Sequence, residues 1–225
     1  MKGAGLTTPH NKIAIPGGFF SEELHAYTDA GGMRVPSVTQ VFGILGFTDY
    51  DTISKEVLAR KSAIGVAVHT AVQYLCEGCL DWDTVAEEAM PYVVAGEMWM
   101  RDQGFVSIAQ EGQGIHSVNG MSYGYMFDHI GTMMYKGRHR HVILDLKTTV
   151  ATSPTWKLQT AAYSLAAPKL PAGERYLRCI LQLKANGKST PHYFENRQDE
   201  MSWQYALYTA IWGINEGLYS LEKAA

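Results

Sequence analysis

The chain is short of several things. Its 225 residues contain three cysteines and no apolar run long enough to cross a bilayer, no internal repeat, no low-complexity tract and no basic excess. Three thiols build no disulfide framework. Cys76 and Cys79 have a C-x2-C spacing, but they fall on an expected helix with only Cys179 left to join them. The plain reading is three reduced thiols in a cytosolic protein. A formal charge of −3 argues against a protein that coats nucleic acid non-specifically, though it leaves room for a local basic rim. Met1-Lys2-Gly3 leads into no signal-like segment. The expected setting is therefore the cytoplasm, with no membrane contact. What is present, 46% hydrophobic and 18% charged residues, is the composition of a folded soluble protein. That length can bury one substantial core, so a single domain over 1–225 is expected.

The informative stretch runs from Glu111 to Tyr163, centred on His141-Val-Ile-Leu-Asp145-Leu-Lys147. Val142 to Leu146 read as a strand buried on both faces, because apolar branched residues fill both alternating sets. Asp145 and Lys147 interrupt it two residues apart and so project from one face. Alone, such a pair is more often a structural ion pair than a catalytic one. The neighbouring strands add to it. Asn119-Gly120 is a strong two-residue hairpin signal, and Lys136-Gly137 a weaker one. Tight turns at both places set Glu111 opposite Asp128, and Asp128 opposite Asp145. Opposed side chains have Cβ atoms roughly 4.5–5.5 Å apart, where like charges repel unless a divalent cation is shared. A bulge at Gly112 or Gly114 would shift this register.

A helix follows. Ser153 can cap it, Pro154 suits its first turn and Pro168 stops it. Leu158, Ala161, Ala162 and Leu165 form its core stripe, with Trp156, Gln159, Tyr163 and Ala166 on the adjoining face. Further back, Met1 to Phe20 is expected to cover the surface, with Ile13 to Ile15 an edge strand. His25 to Val35 reads as a hairpin around Asp29-Ala-Gly-Gly32, and Ser37 caps a short helix to about Leu45. Thr52 to about Glu77 reads as one broken helix or two consecutive ones, with Ile64, Val68, Ala71, Val72 and Leu75 on one face and His69 off it. Asp83 to Arg101 is expected to be helical, with Pro91 starting a second segment. Arg175 to Lys184 and Lys188 to Phe194 form another hairpin. Gln198 to Leu221 reads as a long helix whose Trp203, Tyr205, Tyr208, Trp212 and Tyr219 suit core or oligomer contact before a platform for bases. This order of helices and strands fits an α/β core with a mixed central β-sheet flanked by helices, carrying an N-terminal helical and hairpin embellishment over about 1–104.

Gly124…Asp128, then Asp145-Leu-Lys147, then Gln159-x-x-x-Tyr163 resembles the RecB-like, exonuclease-type branch of the PD-(D/E)XK nuclease superfamily. Upstream, Val35-Pro-Ser-Val-Thr39 and Gly65-x-x-x-His69 are similar to that branch's N-terminal motifs, so the likeness spans Val35 to Tyr163 in order. One departure is Asp145, where many members carry Glu; the superfamily pattern admits both.

The resemblance implies a PD-(D/E)XK nuclease core and a Mg²⁺- or Mn²⁺-dependent deoxyribonuclease. In it Asp128, Asp145, His69 and the backbone carbonyl of Leu146 hold the metal, and Lys147 positions water or stabilises the transition state. Gln159 and Tyr163 orient Lys147 and the DNA backbone. Glu111 joins the metal site on the register argument alone. Some relatives hold an iron–sulfur cluster on four cysteines, a set this chain lacks, so no such cluster is expected. Lys136, Arg138 and Arg140 form a candidate phosphate-contact loop, although a charged hairpin tip is more often merely solvated. The implied setting is recombination, repair or phage DNA metabolism. DNA is the expected partner, a recombination protein such as a single-strand annealing protein is a second one, and oligomers remain open. The first reading is an exonuclease acting on DNA ends. The alternatives are a structure- or sequence-specific endonuclease, or a non-catalytic DNA-binding or assembly module.

Overall fold

A computed structural model describes residues 12–48 and 54–221. The surface stretch expected over 1–11 and the helix start expected at Thr52 lie outside the described residues. The elements are β1 (Lys12–Ile15), β2 (Gly18–Ser21), β3 (Ala26–Asp29), β4 (Arg34–Val35), α1 (Val38–Ile44), α2 (Lys55–Glu77), α3 (Met90–Asp102), β5 (Val106–Val118), β6 (Met121–Tyr135), β7 (Arg138–Lys147), α4 (Trp156–Ala166), β8 (Leu177–Leu183), β9 (Ser189–Phe194) and α5 (Gln198–Asn215). The first four strands make an antiparallel sheet in chain order. The last five make a mixed sheet in the order β5-β6-β7-β8-β9, with β7 and β8 parallel. The molecule is a mixed α/β structure with helices on both faces of the five-stranded sheet. Among the described residues, no helix is long and apolar enough to cross a membrane.

Turn chemistry sets the register of the long meander. Asn119 and Gly120 both take positive φ, 51° and 76°, and Lys136 and Gly137 do the same at 50° and 73°. Two-residue turns of this kind match the twist of the strands they join. The pairs Gln110↔His129 and Gly112↔Phe127 bracket Glu111 opposite Asp128. The β6–β7 ladder runs from Tyr135↔Arg138 to His129↔Leu144, one step short of Asp128 and Asp145. Gly112 and Gly114 do not bulge. They lie opposite Phe127, whose ring would meet a Cβ at 1.9 Å, and Tyr125, whose hydroxyl would meet one at 2.7 Å. The irregularity sits instead between Ser107 and Ala109.

β7 alternates between two cores. Val142, Leu144 and Leu146 pack with Val68 and Val72 of α2 and Val93 and Trp99 of α3. Ile143 packs with Val41 of α1, Ala161 and Ala162 of α4, and Trp203 of α5. Asp145 follows Ile143 onto the α4 side. Ser37 caps α1 as expected, and Gln40 returns the bond to the Ser37 N–H, completing a capping box.

Several expected boundaries move. Over 55–77 there is one unbroken helix, stopped by Gly78 at φ 72°. Asp83 to Ala89 is not α-helical: Trp82–Thr84 form a 3-10 turn, and the helix begins at Met90, because Pro91 suits a first turn and has no N–H to extend an earlier one. The regular part of α4 begins at Trp156 with Thr155 as N-cap, while the Ser153 hydroxyl accepts the Thr155 N–H at 3.2 Å and meets Thr155 Oγ1 at 2.7 Å, so that Ser153 closes the turn leading into the helix. α5 ends at Asn215, where Gly217 at φ 72° turns the chain and Leu218 N–H bonds to the Gly213 carbonyl at 2.8 Å. Of its aromatics only Trp203 is in the core; Tyr205, Tyr208 and Trp212 face solvent.

Candidate metal centre

The acidic row stands where β6 and β7 separate at the carboxyl end of β7. With no further partner, Asp128 and Asp145 would be costly there: both are buried, at 8% and 2% exposure. Each carboxylate is held by a different set of groups. Asp128 Oδ2 accepts the Leu146 N–H at 2.6 Å, and Asp128 Oδ1 lies 3.3 Å from His69 Nδ1. Asp145 Oδ2 pairs with Lys147 Nζ at 2.6 Å, and its Oδ1 accepts from Gln159 Nε2 at 3.3 Å. Gln159 Nε2 also donates to the Tyr163 hydroxyl at 2.9 Å, one helical turn on.

Local structure explains these placements. Lys147 and Asp145 share a face of β7 by strand alternation. Gln159 and Tyr163 share a face of α4 by their i, i+4 spacing. On α2, Gly65 precedes His69 by one turn, and a Cβ there would stand 3.5 Å from Thr148 Oγ1. This stretch of helix thus runs beside the residue after Lys147, at a distance that would be an ordinary contact for a Cβ. At the other end of the row, Glu111 takes φ 48°, a left-handed conformation uncommon outside glycine. Its carboxylate joins His69 and Asp128 in a group whose donor atoms all lie within 4.8 Å of one another.

Charge and burial act in opposition across the site. Burial works against the His69 imidazolium, but the charge and hydrogen bond of Asp128 outweigh it and leave the histidine raised. Burial likewise works against the Asp128 carboxylate, but His69, Lys147 and the Leu146 amide hold it below the usual range. At Asp145 burial wins over Lys147, and the carboxyl is pushed up to about 6. Glu111 is raised by desolvation of its carboxyl and by the charge of Asp128.

Of the residues singled out in the sequence, the structure brings together His69, Glu111, Asp128, Asp145, Leu146, Lys147, Gln159 and Tyr163. The tight donor group consists of His69, Glu111 and Asp128; Asp145 stands beside it, engaged by Lys147 and Gln159. Leu146 meets the site through its amide. Lys136, Arg138 and Arg140 are not part of it. They lie five to nine residues back from Asp145, roughly 17–30 Å along the strand direction, and Lys136 is paired with Glu195 at 3.3 Å. Thr148 was not singled out; its only sequence signal is adjacency to Lys147.

The donor set fits a hard divalent cation, because two carboxylates and an imidazole supply oxygen and nitrogen with no thiolate. No family model matches the sequence, and no curated protein does. Among solved structures 16 chains match. One is the crystal structure of a candidate exonuclease from Eubacterium rectale, 11% identical over 83% of each chain, with a TM-score of 0.49.

Proposed function

We propose that the chain is a Mg²⁺- or Mn²⁺-dependent deoxyribonuclease of the RecB-like PD-(D/E)XK type, folded as one domain and acting as an exonuclease on DNA ends. One observation carries the reading: two buried acids on adjacent strands, one joined by His69 and Glu111 and the other by Lys147 and Gln159. A structural ion pair between Asp145 and Lys147 accounts for neither the second acid nor its histidine. Phosphodiester hydrolysis needs a nucleophile from water and compensation for charge on the phosphate. Asp128, His69 and Glu111, with Asp145 beside them, would hold a divalent cation that would supply both, by acidifying water and drawing off charge.

The chain's own groups do the rest. Lys147 offers a cation beside Asp145, where it can orient water or meet the charge that develops on the phosphate. Gln159 fixes the Asp145 carboxylate and is itself fixed by Tyr163, so three side chains from β7 and α4 share one geometry. DNA is the substrate, and a single-strand annealing protein is a fitting partner in recombination.

A time course on end-labelled linear DNA beside closed-circular DNA, in Mg²⁺, Mn²⁺ and EDTA, tests the reading. Metal-dependent products from linear DNA alone are expected. Nicked circles would make the chain an endonuclease, and DNA binding with no metal-dependent product would make it a binding module.

A further inference from the structure

The hairpin at Lys136-Gly137 lies away from the acidic row, and one of its arginines, Arg140, enters a second charged feature. Arg140, Arg175, Arg178 and Arg197 line a cavity of about 210 Å³, with Glu195 and Glu200 on its walls. That is several times the roughly 30 Å³ share of one liquid water, so a phosphate group fits with its own water. The arginines come from three separate parts of the chain: β7, the approach to and start of β8, and the residue before α5.

Their partners divide them into two kinds. Arg178 is 3% exposed and fully engaged, donating to Asp199 Oδ2 at 2.7 Å and to the Lys157 and Asn196 carbonyls at 2.8 Å each. Arg175 is paired with Glu200. Glu195 pairs with Lys136. Arg140 has one long hydrogen bond, 3.5 Å to the Arg175 carbonyl, and its charge reaches Glu195 without a close ion pair. Among the described residues Arg197 has no ion-pair partner. Lys136 and the four arginines face the carboxylates of Glu195, Asp199 and Glu200, an excess of two positive charges in a chain whose net charge is −3.

We propose that this arginine-lined cavity binds a phosphate monoester dianion, with Arg140 and Arg197 as the anion-contacting residues and Arg175 and Arg178 as a wall held in place by their own ion pairs. Two planar guanidinium forks suit the geometry of phosphate oxygens, and a dianion matches the excess charge. The ligand is a free phosphate compound or the terminal phosphate of a nucleic-acid strand; the two share this chemistry. The proposal does not rest on the nuclease reading, since the cavity contains none of the acidic-row residues.

The test is calorimetric titration of inorganic phosphate in EDTA, at constant ionic strength set with chloride, into the parent and into Arg140→Gln/Arg197→Gln. Saturable binding to the parent is expected, weakened about tenfold or more in the variant, the scale of losing charge-assisted hydrogen bonds. Arg197 is exposed, so Arg197→Gln alone serves if the double variant does not fold, and it too should bind more weakly. Competition with otherwise identical 5′-phosphorylated and 5′-hydroxyl oligonucleotides separates the sources: displacement by the phosphorylated strand alone indicates a nucleic-acid end, and displacement by neither indicates a small free ligand. No saturable binding to the parent, the same affinity in the variants, or equal displacement by both strands would overturn the proposal.

Discussion

His69 Nδ1 stands 3.3 Å from Asp128 Oδ1, so a residue in the middle of α2 meets a carboxylate on the second strand of the large sheet. The contact joins helix and sheet through a group able to ligate. His69→Ala should weaken Mn²⁺ binding and lower cleavage about tenfold or more, the scale of losing one contributor to a metal site. Titration of activity against Mn²⁺ checks this. Parental activity at limiting and at saturating metal alike would make His69 an ordinary half-buried partner of Asp128.

Glu111 holds a left-handed φ of 48° and a carboxyl raised by desolvation and by Asp128. Both features oppose folding when no cation is present. Glu111→Gly should therefore raise the metal-free protein's stability by about 1 kcal/mol, the order of the left-handed penalty for a side chain. Mn²⁺ affinity should fall in the same variant. Denaturant melts in EDTA and calorimetry with Mn²⁺ read the two effects, and a loss of stability in EDTA would contradict this account.

Protons compete with the cation at this site. His69 is raised above its ordinary value, and Asp145 is pushed up to about 6. For a raised group the native state holds its proton more tightly than the unfolded chain. Its contribution to metal-free stability is thus full below the unfolded pKa and lost as pH rises through the folded one. A ligand must shed that proton, so Mn²⁺ affinity should rise by about tenfold or more between about pH 5.5 and 7.5, with proton release on binding. Titrations in two buffers of different ionisation enthalpy measure both. Affinity independent of pH over that window would contradict the assigned donors.

Much of the site was legible because turn chemistry carries register. Asn119-Gly120 and Lys136-Gly137 accept positive φ as pairs, and a two-residue loop leaves no freedom in which residues then face each other. The glycines that threatened this register, Gly112 and Gly114, turned out to lie under Phe127 and Tyr125. Sequence spacing cannot separate that role from a bulge, because both require a missing Cβ. Alternation along β7 located Asp145 and Lys147 on one face, but not that Gln159 would bridge Asp145 to Tyr163. That contact depends on how α4 crosses the sheet. The aromatic residues of α5 divide for a related reason: Trp203 is in the core and Tyr205, Tyr208 and Trp212 face solvent, because periodicity identifies a face and only packing decides which face is covered.

Lys147 separates catalysis from architecture. Its 2.6 Å contact with Asp145 serves a structural pair as well as a catalytic one. If it acts in the transition state, Lys147→Ala should lower kcat by about 10² or more, while DNA affinity in Ca²⁺ falls much less and metal binding survives. A structural pair instead predicts lost folding stability, since Asp145 would be left buried beside no cation. Single-turnover rate, Ca²⁺-supported DNA affinity and thermal midpoint, compared with the parent, decide between them. A large drop in midpoint with a near-normal rate in the folded fraction would remove the catalytic role.

The central claim is that Asp128 and Asp145 hold the cation on which DNA cleavage depends, and single-turnover cleavage of end-labelled DNA in Mn²⁺ by the parent, Asp128→Ala and Asp145→Ala tests it most directly. The account predicts cleavage by the parent that EDTA stops and Mn²⁺ restores. Neither variant should cleave in its folded fraction, and Asp128→Ala should lower the thermal midpoint in EDTA, because it removes the acceptor of the Leu146 amide and the partner of His69. Cleavage that survives EDTA, or that persists at the parental rate in both folded variants, would contradict it.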